Sequence, residues 1–314
     1  MLRNAGYNVL EKLDWMCAER IWPNGLRYIW TDAFGVVLYL SLYRELGEER
    51  WLDEAEHLVT EVERVLGRPR GLRIGEAEDR NGQYFHYLAI WLFALARLGD
   101  IKPEYRERVI ALARDIHPAF VLPGRGVIWK MEEDLSGPYP GCGFGSMDAY
   151  DGYVSFRMLD EEALAPEIAE MRGLMEHDWR TLDIEQDLGL GMILWLAHFF
   201  PDEPWAKAQT KRALRTLDTV WVDPPGYFSR APWQRETKFV FTNLRRVAGA
   251  ASCRCLAGAC GTAQRFHLQQ LTMQRWLHTA ERPGLYLAGE HLGEQASLGE
   301  TRRLFAGKLQ PFLL

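Results

Sequence analysis

Residues 79–99 limit what this chain can become. They open on Asp79, Asn81 and the turn residue Gly82, run on as a helix pattern that is apolar on nearly every face, and stop at Gly99, which suits a C′ position. A helix that is apolar all round has to be buried on all sides, which a surface helix of a small bundle is not. Residues 31–40 and 187–196 share the form, each with an acid (Asp32, Asp187) at the entrance of an apolar helix.

Between these stretches lie helices of another kind. In residues 48–66, Trp51, Ala55, Leu58, Val59, Val62 and Leu66 form one stripe and charged residues fill the other face. Residues 103–118, 161–177 and 203–220 repeat that pattern, while 148–159 and 188–200 read as inward helices. An opening helix is expected over residues 8–20. Residues 237–251 and 263–279 read as a further pair, and 294–305 as a closing helix. The first inward helix is expected to take Thr31 or Asp32 as its N-cap and to run to Gly47. Residues 26–30 alternate and read as briefly extended. Residues 124–131 read as a short strand, followed by a glycine-rich loop at 138–145. Regular alternation of inner and outer helices predicts an all-α chain, an (α/α)6 toroid formed as one domain over residues 1–314. An irregular all-α bundle or superhelix is the plainer alternative.

Composition narrows the partners. With 314 residues, 47% hydrophobic, and a net charge of −6, the chain has material for a large core and no basic surface for nucleic acid. No run is long and apolar enough to span a membrane, and residues 1–7 lack an apolar signal core, so a cytoplasmic location is expected. Five cysteines are an odd number and imply no disulfide framework. Cys253, Cys255 and Cys260 with His267 have ligand chemistry but not a familiar zinc spacing, and no metal is expected there. Phosphate-binding loop, dinucleotide fingerprint and nucleophile elbow are all missing from the sequence.

Hairpins joined in series would turn every inner helix the same way, so the polar entrances would meet at one mouth. That mouth would gather Tyr28, Trp30 and Asp32; Asp79, Asn81, Gln83, Tyr84 and His86; Trp129 and Lys130; Asp148, Asp151 and Tyr153; Glu185 and Asp187; and Trp233, Lys238 and Asn243. Each also has a structural reading. A helix-start Asp commonly caps orphan N–H groups, and a histidine in a buried helix is commonly a hydrogen-bonded core residue. Asp148 and Asp151 form the sharpest local constellation. Their i, i+3 spacing puts both carboxylates on one face of a first helical turn, where repulsion raises one pKa or a hard cation is shared.

Residues 30–35, 79–87 and 148–152 resemble those of bacterial six-hairpin, glycosidase-like proteins, a likeness that covers about residues 25–245 and stops before Cys253. The resemblance implies the (α/α)6 toroid and a funnel-shaped site. The expected activity is cleavage of a small saccharide or glycoside, which needs one carboxylic acid for the leaving oxygen and a second carboxylate across the site. Asp148 or Asp151 would face Glu185 or Asp187, with His86 assisting. Trp30, Tyr84, Trp129 and Tyr153 would stack on the sugar, and Asp32, Asp79, Asn81, Gln83, Lys130, Trp233 and Asn243 would bind it, without a cofactor. Two alternatives stand beside it: a terpenoid cyclase or isomerase that uses Mg2+ on a diphosphate substrate and cation–π stabilisation, and a toroid that binds a ligand without catalysis. The cyclase reading lacks both acid clusters usual for that chemistry.

Overall fold

The computed structural model describes residues 9–220, apart from 19, 21, 24 and 186. Residues 9–25 belong to one compact unit, and Leu26–Glu185 with Gly189–Leu217 form another. The first contains α1 (Val9–Ala18), whose Met16 carbonyl accepts the Trp22 N–H.

The second unit begins with α2 (Ile29–Leu46) and α3 (Arg50–Leu66). It continues with β1 (Gln83–Tyr84), α4 (Phe85–Gly99) and α5 (Glu104–Phe120). The two-residue strands β2 (Val121–Leu122), β3 (Gly126–Val127) and β4 (Lys130–Met131) follow, then α6 (Asp148–Leu159), α7 (Ala165–Asp178), α8 (Asp187–Ala197) and α9 (Pro204–Val220). The expected alternation is there. Every residue of α2 from Ile29 to Leu42 is buried, whereas α3 buries only the stripe expected from the sequence, with Leu52 added. Helix α2 packs against α3 and α4, α4 against α5 and α6, and α6 against α7. From α8, the Trp195 ring meets Phe34 of α2 and Phe93 of α4, with centroids 6.5 and 5.1 Å away. Within this unit α2, α4 and α6 therefore line the inside and α3, α5 and α7 cover them, in the hairpin order of an (α/α)6 toroid. Residues 237–251, 263–279 and 294–305, read as helices above, lie outside the described residues. So do Cys253, Cys255, Cys260 and His267.

Helix ends depart from expectation for local reasons. Helix α2 starts at Ile29, with Tyr28 as N-cap, rather than at Thr31 or Asp32. The Asp32 carboxylate instead accepts the Tyr28 N–H at 3.0 Å, and the Thr31 hydroxyl donates to the Tyr28 carbonyl at 3.0 Å. Both side chains close the first turn from inside it, which lets the helix begin earlier and leaves only Tyr28 extended. At the other end Gly47 takes the left-handed conformation, φ 68°, and closes α2 as expected. Gly99 does not act that way: it is the last residue of α4, and Asp100 is the C-cap. Pro118 does not stop α5, which continues to Phe120. Residues 161–164 form a turn, so α7 begins at Ala165. Among the described residues, no helix is long and apolar enough to cross a membrane.

Candidate active site

The entrance of α4 is shaped by main chain before any side chain takes part. Strand β1 pairs antiparallel with β4, setting Tyr84 opposite Lys130 and Gln83 opposite Met131. The Phe85 N–H then donates to the Trp129 carbonyl at 3.1 Å, and the Trp129 N–H to the Gly143 carbonyl at 3.1 Å. The Gly145 N–H donates to the Val127 carbonyl at 2.9 Å. These bonds clip the long excursion between α5 and α6 onto the start of α4, and its glycines let it lie close.

Aromatic rings from three segments meet there. The His86 ring is stacked with Tyr84 (centroids 5.7 Å, 29° between planes) and meets Trp30 of α2 edge-on at 5.7 Å. Trp129 stands edge-on to Tyr84 at 5.2 Å. Behind them the Tyr28 and Tyr87 hydroxyls share a hydrogen bond of 2.6 Å. His86 keeps an open edge, but this crowding strips water from the ring, and burial holds its imidazole down to about 3. It is a neutral group at ordinary pH.

Asp148 begins α6 beside this cluster and is 5% exposed. Burial pushes its carboxyl up to about 7, against the opposing pull of its own backbone N–H and that of His86. Its Oδ1 has no hydrogen-bond partner. A Cβ on Gly145 would lie 1.7 Å from Asp148 Oδ2 and 3.1 Å from Trp129 Cβ, so only glycine leaves the slot that the carboxylate occupies. One turn on, Asp151 is also buried and its Oδ1 is unpartnered. Burial raises its pKa well above the carboxylate range, and the charge of Asp148 adds to that. The pair expected from sequence is therefore present as two buried acids, one of them poised near neutrality.

Lys130 is buried as well, its Nζ donating to Asn81 Oδ1 at 3.2 Å and standing over the Tyr139 ring at 3.6 Å and the Tyr84 ring at 5.2 Å. Asn81 Nδ2 in turn donates to the Tyr139 hydroxyl at 3.1 Å. Thus Trp30, Asn81, Tyr84, His86, Trp129, Lys130, Asp148 and Asp151 lie in one neighbourhood.

Other anticipated residues are placed elsewhere or otherwise engaged. Asp32 is fully buried on the Tyr28 N–H and 3.5 Å from Arg27. Gln83 Nε2 donates to the Arg70 and Glu133 carbonyls at 2.8 and 2.7 Å and pins the preceding loop. Tyr153 is 2% exposed, with its hydroxyl donating to Glu203, so it offers no stacking face. Asp79 and Glu185 are exposed. The Asp187 side chain, Trp233, Lys238 and Asn243 lie outside what is described. Sequence reasoning missed Tyr87 and Tyr139. Tyr87 directly follows His86, but on an all-apolar helix nothing distinguishes a mouth-side tyrosine from a core one. Tyr139 lies between prolines in a loop whose path could not be foreseen. Among the described residues, no three His, Cys, Asp or Glu side chains group to hold a metal ion.

No family model matches the chain, and no curated protein does. Solved structures do. One is cellobiose 2-epimerase from Spirochaeta thermophila DSM 6192, which shares 13% identity at a TM-score of 0.55, over 81% of this chain and 74% of that one. Another is a sugar epimerase from a ruminal bacterium, with 13% identity and a TM-score of 0.53, over 82% and 76% of the two chains. At such identity the likeness concerns architecture, and it agrees with the helix order and packing above: the chain has an (α/α)6 toroid fold.

Proposed function

We propose that this chain is a saccharide-acting enzyme in which Asp148 exchanges a proton with the bound sugar. One observation carries the reading: a buried carboxyl with a free oxygen, raised to about 7, beside the aromatic cluster of His86, Tyr84, Trp30 and Trp129. A group with a pKa near the working pH can both take and return a proton, which general acid–base catalysis requires. Flat aromatic faces suit the C–H faces of a pyranose. The fold relatives named as sugar epimerases support the substrate class.

Of the reactions open to such a site, proton exchange at a carbon beside a sugar carbonyl fits best. Ionised Asp148 takes the proton, the C–H electrons move into an enolate at the carbonyl oxygen, and, after rotation about the adjoining C–C bond turns the enolate's other face to Asp148, return of the proton inverts the carbon. Neutral His86 offers an N–H to that oxygen. Glycosidic cleavage is the second reading, favoured by the protonated fraction of Asp148, which suits donation to a leaving oxygen. It needs a carboxylate across the mouth. Asp151 stands on the same helix as Asp148, and Glu185 is exposed, so neither meets that need.

Proton NMR of aldoses and reducing disaccharides incubated with the protein in D2O tests both. Deuterium at C2 with new anomeric signals and no cleavage supports the first reading, and release of a free reducing sugar the second. Binding without turnover would leave a non-catalytic toroid and sink the enzyme reading.

A further inference from the structure

We propose that Lys130 receives an acidic substituent of the substrate, so that the mouth takes a sugar carrying a carboxylate or phosphate rather than a neutral one. This rests on the saccharide reading above and specifies its substrate class. The observation is a cation held without a counter-ion. Lys130 is 6% exposed, yet among the described residues no carboxylate pairs with it, whereas Glu133, close by in sequence, is reached by both Arg68 and Arg73. A buried charge is normally paired. Here one N–H meets a neutral amide oxygen, Asn81 Oδ1, and the faces of Tyr139 and Tyr84 supply the rest of the shell. An ammonium has three donors, so donors are left over for a ligand.

The arrangement is built by the fold. Cross-strand pairing sets Lys130 opposite Tyr84, and the Tyr139 N–H donates to the Lys130 carbonyl at 3.1 Å. Gly82 takes φ +77°, and a Cβ there would lie 2.8 Å from Lys130 Cε and 2.6 Å from the Met131 carbonyl oxygen. The loop thus makes room for the lysine stem with a residue that no other side chain could replace without strain. Tyr84 is the shared wall: it is stacked with His86 on the proposed sugar site and lies 5.2 Å from the Lys130 ammonium. A second cation, Arg80, lies over the Tyr28 ring at 4.0 Å.

The test compares glucose, glucuronate and glucose 6-phosphate by titration calorimetry on the wild type, Lys130→Met and Lys130→Arg, with inorganic phosphate and acetate as probes lacking a sugar ring. We expect at least one acidic sugar to bind about tenfold or more tighter than glucose, the scale of one charge-assisted hydrogen bond. Lys130→Met should erase that preference, and Lys130→Arg should keep most of it, which a merely space-filling role would not produce. Whichever acidic sugar shows the preference identifies the anion. Equal binding of glucose and both acids overturns the inference and leaves the saccharide reading standing, as does a preference that survives in Lys130→Met. Lys130-dependent binding of phosphate or acetate with no sugar bound would uphold an anion site and overturn the saccharide reading. No binding of any probe overturns both. Unfolding curves of each variant show whether a loss is one of folding, and Lys130→Arg answers the question if Lys130→Met does not fold.

Discussion

The two halves of α6 both carry polar residues turned away from water, but handle them in opposite ways. At its start, Asp148 and Asp151 are near-fully enclosed, each with an unpartnered oxygen and a raised pKa. Further along, Tyr153 and Arg157 meet Glu203, which also accepts from Trp205 Nε1 at 2.6 Å, while the Arg157 guanidinium lies 3.8 Å over Phe200. The second cluster satisfies itself, so it explains itself: it ties α6 to the start of α9. The first leaves one oxygen of each acid unpaired, and buried polar groups without partners are destabilising. Groups perturbed in this way are candidates for a functional site.

Breaking the first cluster should have the largest effect. Asp148→Asn keeps the shape and removes the titrating proton, so turnover of the responsive sugar should fall by about a hundredfold to ten-thousandfold. Stability should move the other way. The folded pKa of Asp148 is raised from 3.8 to about 7, so the folded state holds this proton more tightly than the unfolded chain does. That contribution is complete below about pH 4 and is lost as pH rises toward 7. Asparagine removes the loss, so the variant should be more stable than the wild type at pH 8, by on the order of 2–4 kcal/mol, and equal to it at pH 4. Asp151 retains its own raised pKa, so the variant keeps part of the slope. Denaturant melts at pH 4 and pH 8 give the comparison, and a variant less stable at pH 8 contradicts the desolvated state of Asp148.

Gly145→Ala should come next. The new methyl would lie 1.7 Å from Asp148 Oδ2, so the carboxylate has to move. A misplaced catalytic group of this kind costs about tenfold to a hundredfold in kcat. The pKa of Asp148 should shift with it, readable as a displaced pH–rate profile. An unchanged kcat and profile would show that the slot does not position the acid.

The second cluster should answer with stability alone. Glu203→Gln removes the charge that Arg157 faces, and with both side chains about four-fifths buried the loss should be about 2 kcal/mol, below that of a fully buried pair. Sugar binding and turnover should stay at wild-type values. A variant that folds normally yet loses turnover would place the network in the catalytic machinery and erase the contrast.

The contrast between the clusters was only half legible from sequence. The inner helices could be read because burial on every face leaves a signature: Phe85 to Leu98 has hardly a polar residue, and the outer helix at Trp51–Leu66 shows its stripe. Bounds of α6 were readable because Asp148 and Leu159 stand at abrupt changes of polarity. Asp148, Asp151 and His86 were visible as chemistry-bearing types at helix entrances. Their partners were not. Whether a helix-start aspartate caps its helix or stands unpaired depends on what lies across from it, so Asp32 and Asp148 look alike in sequence. Asp32 finds the Tyr28 N–H and Arg27, while Asp148 finds a glycine slot and apolar walls. Tyr153 was misplaced for the same reason. Its partner Glu203 is 50 residues away, and no local pattern marks it.

That misplacement gives the finest test. Tyr153→Phe removes one hydroxyl whose two contacts to Glu203 measure 3.0 and 3.1 Å, and which accepts from Arg157 at 2.8 Å. Glu203 keeps Arg157 and Trp205, so its charge stays compensated, and no larger cavity than an oxygen opens. The loss should be about 0.5–1.5 kcal/mol, the net worth of an ordinary hydrogen bond, with saccharide affinity unmoved. If Tyr153 lined the mouth, as its place one turn from Asp148 invites one to expect, the same change would leave stability nearly alone and alter the affinity for sugar. A melt and a titration on one variant therefore decide whether α6 divides where the structure divides it, between a half whose polar groups are paired and a start whose two carboxyls each keep an unpartnered oxygen.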